Sequence, residues 1–276
     1  MRWWFIVAAW AAFQPQAPKP APVPPAPPSS EEQAKLLDEV RAYALNYTHR
    51  LPDFVCLEQT RRYDDPTGQQ AWRLEDSLTA QLNYFDQKEE HKLVSQNGRA
   101  ARDTSYKSAG GLLSVGDFGT AMRDIFDPAS HTSFSWERWA TVRGRRTYVF
   151  SYRVPLPLYI IDYQARQTDQ MQRTKVAYSG SVFVDRQLHT IARITHEALN
   201  IAPSFPIRGA SETLDYDFIK IGVREYFLPL AATLQMQVQT FAGKVWRKNE
   251  KEFRLYRKYS ADAVIKFDAE EPPPQP

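Results

Sequence analysis

Two hydrophobic periods divide this chain. From Phe54 onward, apolar residues recur at every second position. Leu78, Ala80, Leu82 and Tyr84 alternate with Thr79, Gln81 and Asn83. Tyr148, Phe150, Tyr152 and Val154 form another row, and Leu234, Met236 and Val238 stand against Gln235, Gln237 and Gln239. Successive side chains of a strand point to opposite faces, so each row predicts a strand with one dry and one wet side. Together the rows predict an antiparallel sheet. Turn chemistry separates them at Asp64-Asp65-Pro66-Thr67-Gly68, Gln96-Asn97-Gly98, Arg143-Gly144, Ile221-Gly222 and Ala242-Gly243. This gives about ten strands, with no internal repeat beyond the hairpins.

Helical spacing occurs in two places. Within residues 31–50, Leu36, Leu37, Val40, Ala44 and Tyr47 make one apolar stripe, Ser29 and Ser30 are candidate caps, and Leu51-Pro52 ends the run. Glu31 and Glu32 suit the positive end of the helix dipole. The second helix is expected over residues 112–126, after Gly110-Gly111 and before Asp127-Pro128, with Phe118, Met122, Ile125 and Phe126 sharing a face. The glycines let the backbone swing, so this segment is either a lid over the sheet or a helix packed permanently on it.

The N-terminus changes the picture from fold to location. Arg2 precedes an uninterrupted apolar run, Trp3 to Phe13, and Ala9-Trp10-Ala11 has the small-residue spacing of a cleavage site. Residues 1–13 resemble a secretory signal peptide, since a helix of that length covers about 16 Å against a hydrocarbon core of roughly 30 Å. The chain is therefore expected in the periplasm or outside the cell, with no membrane span once the leader is removed. Residues 14–30 hold eight prolines in seventeen positions. They read as an extended spacer of roughly 50 Å at about 3.1 Å per residue. A second proline run marks a tail at residues 269–276. Between them, residues 31–268 show no further linker-like shift and suit one β domain.

Composition excludes more than it selects. Lys and Arg number 35 against 32 Asp and Glu, a net charge of +3. These charges are spread along the chain, which speaks against a nucleic-acid partner. The local basic clusters, Arg143 to Arg146 and Arg254 to Lys258, read as a hairpin tip and a solvated strand face. The single cysteine, Cys56, lies among apolar neighbours and reads as a buried thiol. With no disulfide to close, stability rests on a core for which 15 Phe, 14 Tyr and 7 Trp are available.

No catalytic set emerges. His49, His91, His131, His189 and His196 lack the close helical spacing of zinc ligands, and His189 and His196 read as exposed residues of one hairpin. There is no G-x-S-x-G elbow, phosphate loop or dinucleotide fingerprint. Asp215 and Asp217 share a strand face opposite Leu214, Tyr216 and Phe218, and so mark a wet side rather than an acid–base pair. Neither a cofactor, a metal nor an enzymatic activity is expected.

What remains is a surplus of apolar sheet surface. A curved sheet with one dry face must bury that face or use it, either as a fully packed core or as a pocket for acyl chains. The candidate lining comes from Leu78, Leu82, Tyr84, Tyr148, Phe150, Tyr152, Leu234, Met236 and Val238, closed by Phe118, Met122 and Phe126.

Ser181-Val182-Phe183-Val184-Asp185-Arg186-Gln187-Leu188-His189-Thr190-Ile191-Ala192-Arg193-Ile194 resembles a strand–turn–strand of the periplasmic lipoprotein carriers and lipoprotein-sorting proteins (LolA, LolB and LppX types). Sensor domains of the RseB/MucB type are similar there too. Leu51-Pro52-Asp53-Phe54-Val55-Cys56, and Phe118-Gly119-Thr120 with Ile125-Phe126, are similar to exported bacterial proteins of this broad kind. The resemblance implies an incomplete antiparallel barrel, mainly β, with the two helices covering its concave face. It also implies a hydrophobic partner, a lipid or an acylated protein, or else an envelope protein partner for a sensor. It carries over no catalytic position, and the chain departs from it in lacking a lipidation cysteine.

Overall fold

The computed structural model describes residues 25–110, 118–164, 171–241 and 243–259. The expected leader, most of the proline-rich spacer, residues 112–117 of the mid-chain helix and the tail lie outside them.

Eleven strands form one sheet: β1 (Phe54–Asp65), β2 (Arg73–Phe85), β3 (Lys88–Gln96), β4 (Arg99–Ala100), β5 (Ser133–Val142), β6 (Arg145–Gln164), β7 (Met171–Asp185), β8 (Ile191–Leu199), β9 (Ile207–Ile221), β10 (Arg224–Thr240) and β11 (Gly243–Lys258). Their order is β4-β3-β2-β1-β11-β10-β9-β8-β7-β6-β5. Most strands pair with their chain neighbours; the exception joins the first strand to the last, β1 to β11. The free edges are β4 and β5, so the antiparallel barrel stays incomplete. The chain between those edges carries a 3-10 turn, Tyr106–Ala109, and helix α2 (Thr120–Phe126).

The alternation of apolar and polar residues places the strands, and the turns set their register. Asp86-Gln87, Asn97-Gly98 and Arg143-Gly144 all have positive φ at both positions. Paired positive φ gives the hairpin turns whose twist matches that of the strands they join. Prolines break the ladder where they lack the amide donor. Pro155 and Pro157 lie in the β6 register shift between Val154 and Tyr159, and Pro229 sits at the shift in β10.

Helix α1 (Ser30–Leu45) starts with a capping box. The Ser29 amide donates to Glu32 Oε2 at 2.7 Å, and the Glu32 amide donates to Ser29 Oγ at 3.2 Å. Leu36, Val40 and Ala44 are buried at four-residue intervals. The helix ends before the expected Arg50, giving way to a 3-10 turn at Thr48–Arg50. Tyr47 instead drops into the core and donates from its hydroxyl to the Phe227 carbonyl at 2.9 Å. The mid-chain helix is also shorter than its spacing predicted. Gly119 caps it at φ 110°, a left-handed conformation that interrupts helical continuity, so Phe118 lies outside the helix. Among the described residues, no helix is long and apolar enough to cross a membrane.

One glycine is fixed by space alone. A Cβ on Gly180 in β7 would meet the Thr195 carbonyl oxygen of β8 at 1.8 Å. Gly180→Ala should therefore lower unfolding stability by at least about 2 kcal/mol. Gly98→Ala is the milder control, strained by its φ of 72° but with nothing near the added carbon. Equal midpoints for the two variants in urea would contradict this close approach.

Candidate functional site

The covered face of the sheet holds the candidate lining, divided among separate clusters. Met122, Phe126, Phe150 and Tyr152 belong to a large cluster beneath α1 and α2, with half-buried Tyr148 packed against it. Leu234, Met236 and Val238 pack with Ile161, Tyr163 and Ile207 at another end of the sheet. Leu82, Tyr84 and Phe118 pack with Phe54, Cys56 and Phe253. Leu78 is buried outside all three clusters. Cross-strand stacking builds the third cluster, where the Phe54 and Tyr84 rings lie 5.0 Å apart and nearly parallel.

Beside that third cluster the dry face carries charge. Phe54, Cys56, Glu58, Thr60 and Arg62 alternate along β1, and their partners on β2 are Tyr84, Leu82, Ala80, Leu78 and Asp76. Glu58 and Lys251 are almost completely buried. Tyr106, from the 3-10 turn above the sheet, donates to Glu58 Oε1 at 2.5 Å, and Thr60 donates to the same oxygen at 3.0 Å. His91 Nδ1 lies 3.0 Å from Glu58 Oε2, and Lys251 Nζ lies 3.9 Å from Glu58 Oε1. One step along the ladder, Arg62 grips Asp76 with two parallel hydrogen bonds of 2.6 and 2.5 Å. Its remaining donors reach the carbonyls of Ala109 and Gly110. The overlying segment is thus tied to the sheet by ions rather than by apolar packing alone.

These charges hold each other ionised. Burial pushes the Glu58 carboxyl up, but the Lys251 and His91 charges and the hydrogen bonds from His91 and Tyr106 outweigh it, leaving Glu58 at about 2. Burial also opposes protonation of His91, yet the neighbouring Glu58 and Glu89 carboxylates raise it to about 9. Burial works against the Asp76 carboxylate too, and the Arg62 pair more than compensates. Glu89 also accepts the Phe118 amide at 3.1 Å, which links this network to the start of α2.

Sequence reasoning missed this cluster because it read no row of alternating positions along β1. The signal was present as parity: Glu58 and Arg62 share the phase of Phe54 and Cys56. Cys56 itself is buried, as its neighbours suggested.

The histidines of the predicted hairpin part company. His189 sits in the β7–β8 turn and pairs with Glu39 of α1 at 2.5 Å. His196 is not exposed as its strand position suggested. It lies buried among Tyr152, Tyr159 and Tyr178, with the Tyr152 hydroxyl 2.6 Å from its Nδ1. Burial lowers it to about 4, so it is neutral at pH 7. Asp215 takes a two-pronged pair from Arg193, and Asp217 pairs with Arg143 at 2.9 Å. Each of these carboxylates therefore has its own cation.

Comparison with known proteins gives likenesses of layout. No family model matches the chain, and no curated protein matches it. A putative outer membrane lipoprotein-sorting protein domain from Vibrio parahaemolyticus is similar over 84% of this chain and 94% of its own, at 11% identity and a TM-score of 0.37. A DUF1329 family protein from Desulfovibrio piger shows the same coverages at 9% identity and a TM-score of 0.38. A LolA superfamily protein from Nitrosomonas europaea is similar over 82% of this chain and 93% of its own, at 11% identity and a TM-score of 0.31. At these scores the likeness is one of layout and says nothing of a ligand.

The two buried histidines give stability opposite slopes with pH. His91 is raised when folded, so its contribution is complete below its ordinary value of 6.5 and is lost as pH rises through about 9. His196 is depressed when folded, so the unfolded chain takes the proton first and stability falls as pH drops from 6.5 toward about 4. Urea midpoints measured from pH 4 to 9.5 should peak near neutrality. His91→Gln should flatten the alkaline limb and His196→Gln the acid limb. An alkaline limb unchanged in His91→Gln would rule out the charged cluster as its source.

Proposed function

We propose that this chain is an exported, non-enzymatic binding protein of the half-barrel kind, taking a lipid, an acyl chain or an acylated protein segment against the covered face of its sheet. The reading takes residues 31–268 as one domain and residues 1–13 as its export signal. The observation that carries it is the nature of the cover. Met122, Ile125 and Phe126 of α2 are fully buried in the large cluster, while Phe118, just ahead of the helix, is buried in the third. Apolar contacts of this kind are non-directional, so an apolar chain of similar volume can take the place of these side chains.

The magnitudes are comparable. Four buried apolar side chains contribute roughly 6–12 kcal/mol in all, and an acyl chain of about fourteen methylenes brings about 11 kcal/mol at ~0.8 per group. A seven-residue helix has little stability of its own, so displacing it costs mainly these contacts. Under this reading Tyr84, Phe150 and Tyr152 are the floor on which the ligand rests, and the Glu58 and Arg62 network anchors the neighbouring roof while α2 moves.

A second reading, an envelope interaction or sensor module without a ligand cavity, draws on the free edge of β5 and on the Arg143 turn beside it.

The test is lipid extraction of the purified protein together with titration by a fluorescent fatty acid. The carrier reading expects co-extracted lipid or saturable binding. It also expects Met122→Asp to weaken that binding at least about tenfold while the sheet signal in circular dichroism persists. Absence of both lipid and fatty-acid binding, with a stoichiometric protein partner recovered instead, would favour the second reading.

A further inference from the structure

A β-bulge builds an aromatic patch that strict alternation would have split. In β5 the register shifts between Trp136 and Arg138, so Trp136 pairs with Phe150 and Trp139 with Tyr148. The extra residue puts two tryptophans three positions apart on one face. The Trp136 and Trp139 rings are 5.0 Å apart, Trp139 and Tyr148 are 4.8 Å apart, and the Arg186 guanidinium lies 5.3 Å from the Trp139 ring centre. A groove of about 380 Å³ lies here, between this patch and Leu36 and Glu39 of α1.

The chain's own proline-rich segment forms one wall of that groove. Trp139 Nε1 donates to the carbonyls of both Pro25 and Ala26, at 3.1 and 3.2 Å. Gln33 Nε2 donates to the Pro28 carbonyl at 2.8 Å. Proline rings at 25, 27 and 28 fix φ near about −65° and supply no amide, so the segment offers carbonyls without competing donors at those positions. The indole is shared between two consecutive carbonyls. It therefore reads an extended, carbonyl-presenting backbone rather than one residue. The preceding sequence, Ala17-Pro18-Lys19-Pro20-Ala21-Pro22-Val23-Pro24, repeats the same alternation.

We propose that the Trp139 aromatic patch is a recognition site for proline-rich segments in polyproline II form, with Pro25–Pro28 as its resident occupant and a proline-rich segment of a partner protein as the ligand it exchanges for. Flat aromatic rings that grip a preformed extended chain, together with an indole donor for its free carbonyls, are the means by which such segments are bound at low entropic cost. The resident segment adjoins α1 covalently and competes at a local concentration on the order of millimolar. Trans binding is thereby held weak until the resident segment is loosened. Tyr148 is shared between this groove and the candidate lining of the covered face.

The test uses a fluorescein-labelled peptide with the sequence of residues 14–28, titrated onto the purified full chain and followed by fluorescence anisotropy. A variant with Pro25→Gly and Pro27→Gly should bind the peptide at least about tenfold more tightly than the parent. Adding Trp139→Phe, which keeps a ring but removes the donor, should reverse that gain, with unfolding curves confirming that the variant is folded. A peptide with every proline replaced by alanine should bind at least about tenfold more weakly, because the preformed geometry is lost. Equal binding of the two peptides, an unchanged affinity in Trp139→Phe, or no binding to the glycine variant would each overturn the proposal. A dimer on gel filtration without peptide binding would assign the groove to a second copy and overturn it too.

Discussion

The pairing of the first strand with the last is the constraint on which the rest of this structure depends. β1 and β11 run antiparallel over almost their full lengths, from Phe54 opposite Lys258 to Asp65 opposite Trp246. That closure places the first and last strands in the interior of the sheet order and moves its free edges to β4 and β5, which are neighbours in sequence but unpaired in space. The segment joining them must cross the opening the sheet leaves, and it brings the 3-10 turn and α2 with it. The cover of the covered face therefore follows from the topology.

The covered face is not uniformly apolar, and the difference decides how its parts are held. Around Phe150, Val182 and Leu214 the contacts with α1 and α2 are hydrophobic. Near Glu58 and Arg62 the roof is tied by charge-assisted hydrogen bonds. Apolar contact tolerates sliding and replacement, whereas a buried ion pair leaves an uncompensated charge when one partner departs. The two kinds of attachment divide the cover into a half held by apolar packing and a half tied by charge. Lys251, Glu58 and His91 are neighbouring buried charges of this second kind, with Tyr106 donating to Glu58.

The candidate site was legible in part, for reasons visible in individual residues. The rows at 78–84, 148–154 and 234–238 follow the two-residue period, and all of them lie in strands with their apolar members on the covered side. Their distribution among separate clusters was not legible, because period alone says which face a residue takes and nothing about its position around the curve of the sheet. The charges at Glu58 and Arg62 had the right parity but were overlooked, since ionisable residues are expected on the wet side. Trp139 was hidden for a different reason. A single bulge reverses the phase of every residue after it, and no pattern in the β5 sequence announces where the extra residue falls.

The sequence by itself determined the antiparallel strands, their turns and the start of α1, because these follow from side-chain alternation, positive-φ turn residues and a capping box spanning four residues. Those are local forces, written in neighbours along the chain. Only the tertiary structure decided that β1 meets β11, that His196 is buried while His189 is not, and that Pro25 lies against Trp139. Each joins residues far apart in sequence, and it is the burial and hydrogen bonding won on folding, rather than any local preference, that selects them.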